Sequence, residues 1–145
     1  MVDGDQLYIP CRIYYSEKNL ARKPDFSQLQ KLILGCLFSR HHNGFIREEC
    51  IKGVVVSDYI WVTPYVLGLL GEYVIEILHV IHSKLDAFNF ENYIEFIKNN
   101  LEFYELTRQC MISYWNCYYR YKFYNKKDYV GFQIFEFFDK LLVQN

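Results

Sequence analysis

Apolar residues recur at intervals of three and four along nearly the whole stretch from Leu29 to Val143, and that spacing belongs to α-helices. A helix with one apolar stripe must bury it against another element, so this chain is expected to fold as packed helices. Asp25 or Ser27 can cap a first helix in which Leu29, Leu32, Ile33, Cys36 and Leu37 share a face, ending near Arg40-His41-His42. Asn43-Gly44 reads as a turn and cap, and a short second helix runs from Phe45 to about Val54. Ser57 and Asp58 offer the next cap. Proline is tolerated only in a first turn, so Pro64 places the start of the third helix at Trp61 or Val62, with its end near Gly71.

The fourth helix is expected from Glu72 to Lys84. Val74, Ile77, Leu78, Ile81 and Leu85 form its apolar stripe, and Glu72, Glu76, His79 and Ser83 the opposite one. Asn89 caps a fifth, in which Phe90, Tyr93, Ile94, Ile97, Leu101 and Tyr104 keep a seven-residue repeat. The sixth, from about Glu105 to Phe123, is apolar or aromatic nearly all round, the mark of a helix buried on several sides and so the expected structural centre. Asn125-Lys126-Lys127-Asp128 makes the last turn before a seventh helix, Tyr129 to Val143. Seven helices in about 120 residues leave little room for a sheet.

The first two dozen residues differ. Leu7, Ile9, Cys11, Ile13 and Tyr15 alternate with other residues as in a short extended arm, and Pro10 makes it an edge or irregular segment. Ser16 to Pro24 is polar and basic, as in a linker. The chain therefore divides into an N-terminal arm, 1–24, and a helical domain, 25–145.

Helices one and two, three and four, and five and six make three consecutive antiparallel pairs at spacings near 40 residues, the period of HEAT-like units. The second helix opens Asn43-Gly44-Phe45-Ile46-Arg47-Glu48-Glu49-Cys50, which resembles the start of a HEAT second helix. There a cap satisfies a free amide, an arginine reaches a neighbouring unit, and a small residue lets helices approach. Trp61-Val62-Thr63-Pro64-Tyr65-Val66-Leu67 followed by Gly71-Glu72-Tyr73-Val74 is similar to the long first helix and short break of bacterial HEAT-like proteins, although Leu78 stands near the place of the expected arginine. Thr107-Arg108 and Met111 echo Ile46-Arg47 and Cys50. The resemblance covers roughly residues 26–122. It implies an all-α fold, a short α-solenoid of stacked antiparallel helix pairs.

Several compositional facts narrow the function. The 145 residues carry 16 basic and 17 acidic side chains, a formal charge of −1, so no global field draws in nucleic acid or an anionic membrane. No apolar run reaches the ~18 residues of a membrane span, because Glu72 and Glu76 break the longest candidate. The five cysteines are odd in number and follow a polar, acidic start without a signal-peptide pattern. Cys36, Cys50, Cys110 and Cys117 sit among apolar neighbours and read as buried small hydrophobes in a reducing, cytoplasmic setting.

Candidate chemistry is sparse. Glu76-x-x-His79 has the spacing used by di-metal bundles, with Glu72 one turn before and His82 three residues after, but a site of that kind needs a second such motif on a facing helix. The sequence has none, so an exposed polar stripe is the favoured reading. His41-His42 lies at a turn without a Cys or Asp at ligand spacing. Cys110 and Cys117 share a helix face, and no local histidine makes a nucleophile–base pair with either. A glycine-rich phosphate loop, a serine nucleophile elbow and a Cys-x-x-Cys pair are all lacking. The expectation is a protein without catalytic residues, metal or cofactor.

The most unusual local feature is aromatic. Tyr114, Trp115, Tyr118, Tyr119, Tyr121, Phe123 and Tyr124 crowd one stretch together with Arg120 and Lys122, in a chain that is 19% aromatic with 14 tyrosines. About half of these rings are expected to fill the core. The tyrosines left over would form a protein-binding surface, since tyrosine is enriched at interface hot spots. The leading expectation is a cytoplasmic, non-catalytic module that binds one protein partner through Glu72, Tyr73, Glu76, His79, Tyr114, Tyr118 and Tyr121. One version of it is a toxin-neutralising immunity protein, in which Glu48, Glu49, Glu72 and Glu76 would cover a basic active site. The competing expectation is a nucleic-acid-binding helical repeat with Arg40, Arg47, Lys52, Arg108, Arg120 and Lys122 converging on one groove. It is disfavoured because interspersed acids, Asp128, Glu136 and Asp139 among them, weaken the field.

Overall fold

Ser27 opens the first helix, α1 (Gln28–Phe38): its hydroxyl accepts from the Gln30 amide at 3.2 Å, and the Gln30 side chain accepts from the Ser27 amide at 2.9 Å. That reciprocal pair satisfies two amides that a helix start leaves free. Asn43 does the same work for α2 (Gly44–Val54), accepting from the Phe45 amide at 3.0 Å. In this computed structural model residues 2, 4–15 and 25–144 are described, and the Ser16–Pro24 linker lies outside them. Beyond α2 come α3 (Thr63–Leu69), with Pro64 in its first turn, then α4 (Ile75–His82), α5 (Phe90–Asn99), α6 (Leu101–Tyr114) and α7 (Val130–Gln144). The described residues are all-helical apart from turns and two isolated β-bridges.

The helices pack in a chain of neighbours. α1 lies against α2, α2 against α4, and α4 against α7, while α5 touches α3, α6 and α7. Gly35 lets the first pair close, since a Cβ there would meet Val54 Cγ1 at 2.5 Å. The core centres on α4, where Ile77, Leu78 and Ile81 are fully buried, and on Ile134, Phe135 and Phe138 of α7. Offset rings extend it: Phe88 stacks on Tyr93 at 4.6 Å, and Tyr104 lies 5.2 Å from Phe135.

Four expectations are corrected. First, α4 begins at Ile75, not Glu72: Val74 before it is extended (φ −87°, ψ 101°), and Glu72 lies ahead of the helix with its side chain on two arginines described below. Second, the fifth helix stops at Asn99. Asn100 leaves helical geometry (φ −141°, ψ 47°), its amide donating to Ile97 O and its side chain to Phe96 O. Leu101 and Tyr104 therefore belong to α6, and Leu101 is exposed rather than part of an α5 seam. Third, α6 is not the centre: only Tyr104, Thr107 and Met111 of it are buried, and one face is open to solvent. Fourth, Cys110 and Cys117 lie on exposed positions, so neither is the core residue expected, whereas Cys36 is buried.

A candidate interaction surface built on tyrosines

The surface rests on a buried ionic layer. Glu72, 3% exposed, accepts from Arg12 Nη2 at 2.6 Å and from Arg47 Nη2 at 3.3 Å. Arg47 is itself fully buried and donates from Nη1 to the carbonyls of His41 (2.8 Å) and His42 (3.0 Å). Arg47 of α2 thus contacts Glu72, just ahead of α4. Arg40 completes the layer with a 2.8 Å hydrogen bond to Tyr65 O. Burial lowers the Arg40 pKa; the Glu72 charge opposes this, while Arg12 and Arg47 add to it.

The same layer anchors the N-terminal residues. Ile13 donates to Arg40 O at 2.8 Å and accepts from the His42 amide at 3.0 Å, and the His41 ring is 2.9 Å from Tyr15 O. Arg12 beside them carries the bond to Glu72. One carboxylate therefore ties together the N-terminal segment, the α1–α2 turn and the α3–α4 corner.

Above it stand the rings. Tyr73, next to Glu72, lies with its ring 5.8 Å from the Arg47 guanidinium carbon. Its centroid is 5.8 Å from that of Tyr114 and 6.4 Å from that of Tyr118, and Tyr114 and Tyr118 stack at 6.1 Å. Tyr114 and Tyr118 meet because they are four apart, across the junction between α6 and a π-helical turn, Trp115–Tyr119. That turn is closed by the Arg120 amide on Trp115 O at 2.7 Å. It turns Trp115 inward, where the indole N–H donates to Phe123 O at 3.0 Å and the ring packs edge-on to Phe132.

Tyr119 locks the corner from the other side, its hydroxyl donating to Tyr73 O at 2.5 Å. Burial raises its pKa, a hydrogen bond with the Ile75 backbone opposes this, and the nearby Glu76 charge adds to it. Gly71 is needed for the approach, since a Cβ there would lie 3.2 Å from both Cys110 Cβ and Thr107 O.

Of the residues expected at a partner site, the fold brings Tyr73, Tyr114 and Tyr118 into one cluster and puts Glu76 beside it at the start of α4. His79 is exposed one turn further along α4. Tyr121 is fully exposed and makes no ring contact among the described residues. Glu72 is the correction: it lies beneath the surface, not on it. Arg12 and Tyr119 were not anticipated as site residues. Arg12 sits in a segment without helical period, and Tyr119 was one of seven aromatic residues that spacing alone could not sort.

Four of the six cations expected in a nucleic-acid groove are engaged elsewhere. Arg40 and Arg47 are buried, Lys52 pairs with Glu48 and Glu49, and Arg108 is bidentate on Asp139 at 2.8 and 2.6 Å. Among the described residues no group of three or more His, Cys, Asp or Glu side chains is placed to hold a metal ion, and no helix is long and apolar enough to cross a membrane. No protein-family model, curated protein or solved structure matches the chain.

Proposed function

We propose that this chain is a non-catalytic interaction module that binds one protein partner through the Tyr73–Tyr114–Tyr118 cluster, flanked by Glu76 and His79. The observation that carries the reading is the exposure of Tyr73 (44%) and Tyr118 (66%) above a base held by the Arg47–Glu72 ion pair and the Tyr119 hydroxyl on Tyr73 O. Rings already held in place lose little conformational entropy on binding, which is the property of an interface anchor. An enzyme would need a nucleophile, base or metal set beside such rings; Glu72, the buried carboxylate there, is engaged by Arg12 and Arg47.

The HEAT-like reading is supported by the α1–α2 pair, by the packing of α2 on α4, and by Arg47 reaching from one pair to the next. The packing of α4 against α7 is a departure from a simple three-pair stack. Five free cysteines, three of them exposed, suit a reducing cytoplasm. A toxin-neutralising immunity protein is one version of the proposal. Its acidic face would have to rest on Glu76, since Glu72 is buried and Glu48 and Glu49 share Lys52.

The test is affinity capture from native cytosol with the wild-type chain and with Tyr73→Ala plus Tyr118→Ala, compared by quantitative mass spectrometry. A stoichiometric protein retained by the first and lost by the second supports the proposal. Equal capture by both, or no stoichiometric protein at all, removes it.

A further inference from the structure

Residues 120–127 leave the π-helical turn and lead through a 3-10 turn (Lys126–Asp128) into α7. They carry Arg120, Lys122, Lys126 and Lys127, interleaved with Tyr121, Phe123 and Tyr124. The floor beneath them is aromatic. The Trp115 ring has Arg120 Cζ and Lys126 Nζ each at 5.9 Å, Lys126 lies 5.5 Å from Phe132, and Lys122 lies 5.3 Å from Phe123. Three of the cations are therefore held in place by ring faces.

Among the described residues none of the four pairs with a carboxylate. The acids that follow in sequence are engaged elsewhere: Asp139 holds Arg108 and the Tyr104 hydroxyl, and Glu136 holds Lys140 at 2.8 Å. Asp128 is the one carboxylate within the turn itself. Asp139 and Glu136 are thus each paired with a cation outside the turn, although the Glu136 charge is still felt by Lys127.

Between the cations, Tyr121 and Tyr124 are exposed to 104% and 77%, and neither stacks on another ring among the described residues. Cations alone would attract any polyanion. Bare rings alternating with cations select one whose charged backbone carries flat groups that can stack. We infer that residues 120–127 bind single-stranded nucleic acid without sequence preference, the phosphates on Arg120, Lys122, Lys126 and Lys127 and the bases on Tyr121 and Tyr124. An acidic peptide would use the cations and leave the rings idle, and a duplex keeps its base faces covered. The site shares no residue with the Tyr73–Tyr114–Tyr118 cluster, so it is a second surface and stands or falls independently of the first.

The measurement is fluorescence anisotropy of the full chain with a labelled oligothymidylate of about ten nucleotides at low ionic strength. Saturable binding is expected, with log K falling against log salt at a slope of about −2 to −3, as three or four phosphate contacts on a single strand require. Tyr121→Ala with Tyr124→Ala should weaken binding about fivefold or more per ring. Lys122→Gln with Lys127→Gln should flatten the slope by about 1.4. All four side chains are exposed, so thermal melting of both variants should match wild type. Failure to saturate overturns the inference, as does wild-type affinity in the tyrosine variant. Displacement of the label by oligoglutamate as effectively as by unlabelled oligothymidylate would also overturn it, and assign the turn to acidic peptides.

Discussion

Replacing Glu72 by Gln tests the ionic layer under the tyrosines, because it keeps the side-chain shape and removes only the charge. The carboxylate is 4% exposed and is the ion-pair partner of Arg47, whose side chain is fully buried, while Arg12 on its other side is 28% exposed. Arg40, bonded to Tyr65 O, is also buried close enough to feel the Glu72 charge, so the carboxylate offsets more positive charge than its two ion-pair partners carry. Removing one partner of a buried pair typically costs about 3–5 kcal/mol, because the remaining charge can neither leave nor be neutralised. With an m value of about 2 kcal/mol per molar in urea, the unfolding midpoint should fall by about 1.5–2.5 M. Arg12→Ala should cost only about 1 kcal/mol, since its guanidinium is partly solvated. In the Glu72→Gln background the same Arg12→Ala change should cost almost nothing, because its partner charge is already gone. Urea titrations followed by far-ultraviolet circular dichroism give all four corners of that cycle. A Glu72→Gln loss below about 1 kcal/mol, or an equal Arg12→Ala cost in both backgrounds, would refute the shared-carboxylate account.

Other outcomes follow from the same packing. Leu78→Ala, at a fully buried position of α4, should cost about 2–5 kcal/mol in the same urea assay. Tyr73→Ala with Glu76→Ala should weaken capture of the partner while moving the thermal midpoint little; a loss of several degrees would make these residues structural. Titration of the native chain with a disulfide reagent should find three fast thiols, Cys11, Cys110 and Cys117, and two slower ones, Cys36 and Cys50. Burial pushes the Cys36 thiol from 9.0 up to about 12 and that of Cys50 up to about 11. The folded chain keeps these protons where the unfolded chain sheds them, so their stabilisation is complete below pH 9 and declines as pH rises towards 12. The buried hydroxyls of Tyr93, Tyr104 and Tyr129 are raised by the same cause and act in the same direction. Urea midpoints should therefore fall steadily above pH 9, and a flat profile there would contradict the burial of these groups.

What was legible in the sequence is what depends on neighbours along the chain. Ser27, one of two candidate caps beside Asp25, Asn43 before Gly44, and Pro64 in a first turn each act within one turn, and each marks a helix start close to where it lies. The apolar period likewise identified Ile77, Leu78 and Ile81 as the buried face of α4. The helix break at Asn100 was hidden because Leu101 and Tyr104 continue the α5 period across it. Period reports which residues share a face, not where the backbone turns.

The site was legible only in part. Tyr73, Tyr114 and Tyr118 stood out by type, but residue type cannot say that a π-helical turn and the Tyr119 hydroxyl bring two distant segments within ring contact. Glu72 shows the division most clearly. By local pattern it is a polar residue on a solvated stripe, and any isolated helix would expose it. Arg12, sixty residues away, and Arg47, twenty-five away, make burial favourable by supplying charge and hydrogen bonds that no nearby residue offers. Helices, caps and turns were thus set by short-range chemistry written in the chain. The fate of a charged or aromatic side chain was decided by long-range partners, which exist only once the helices have packed.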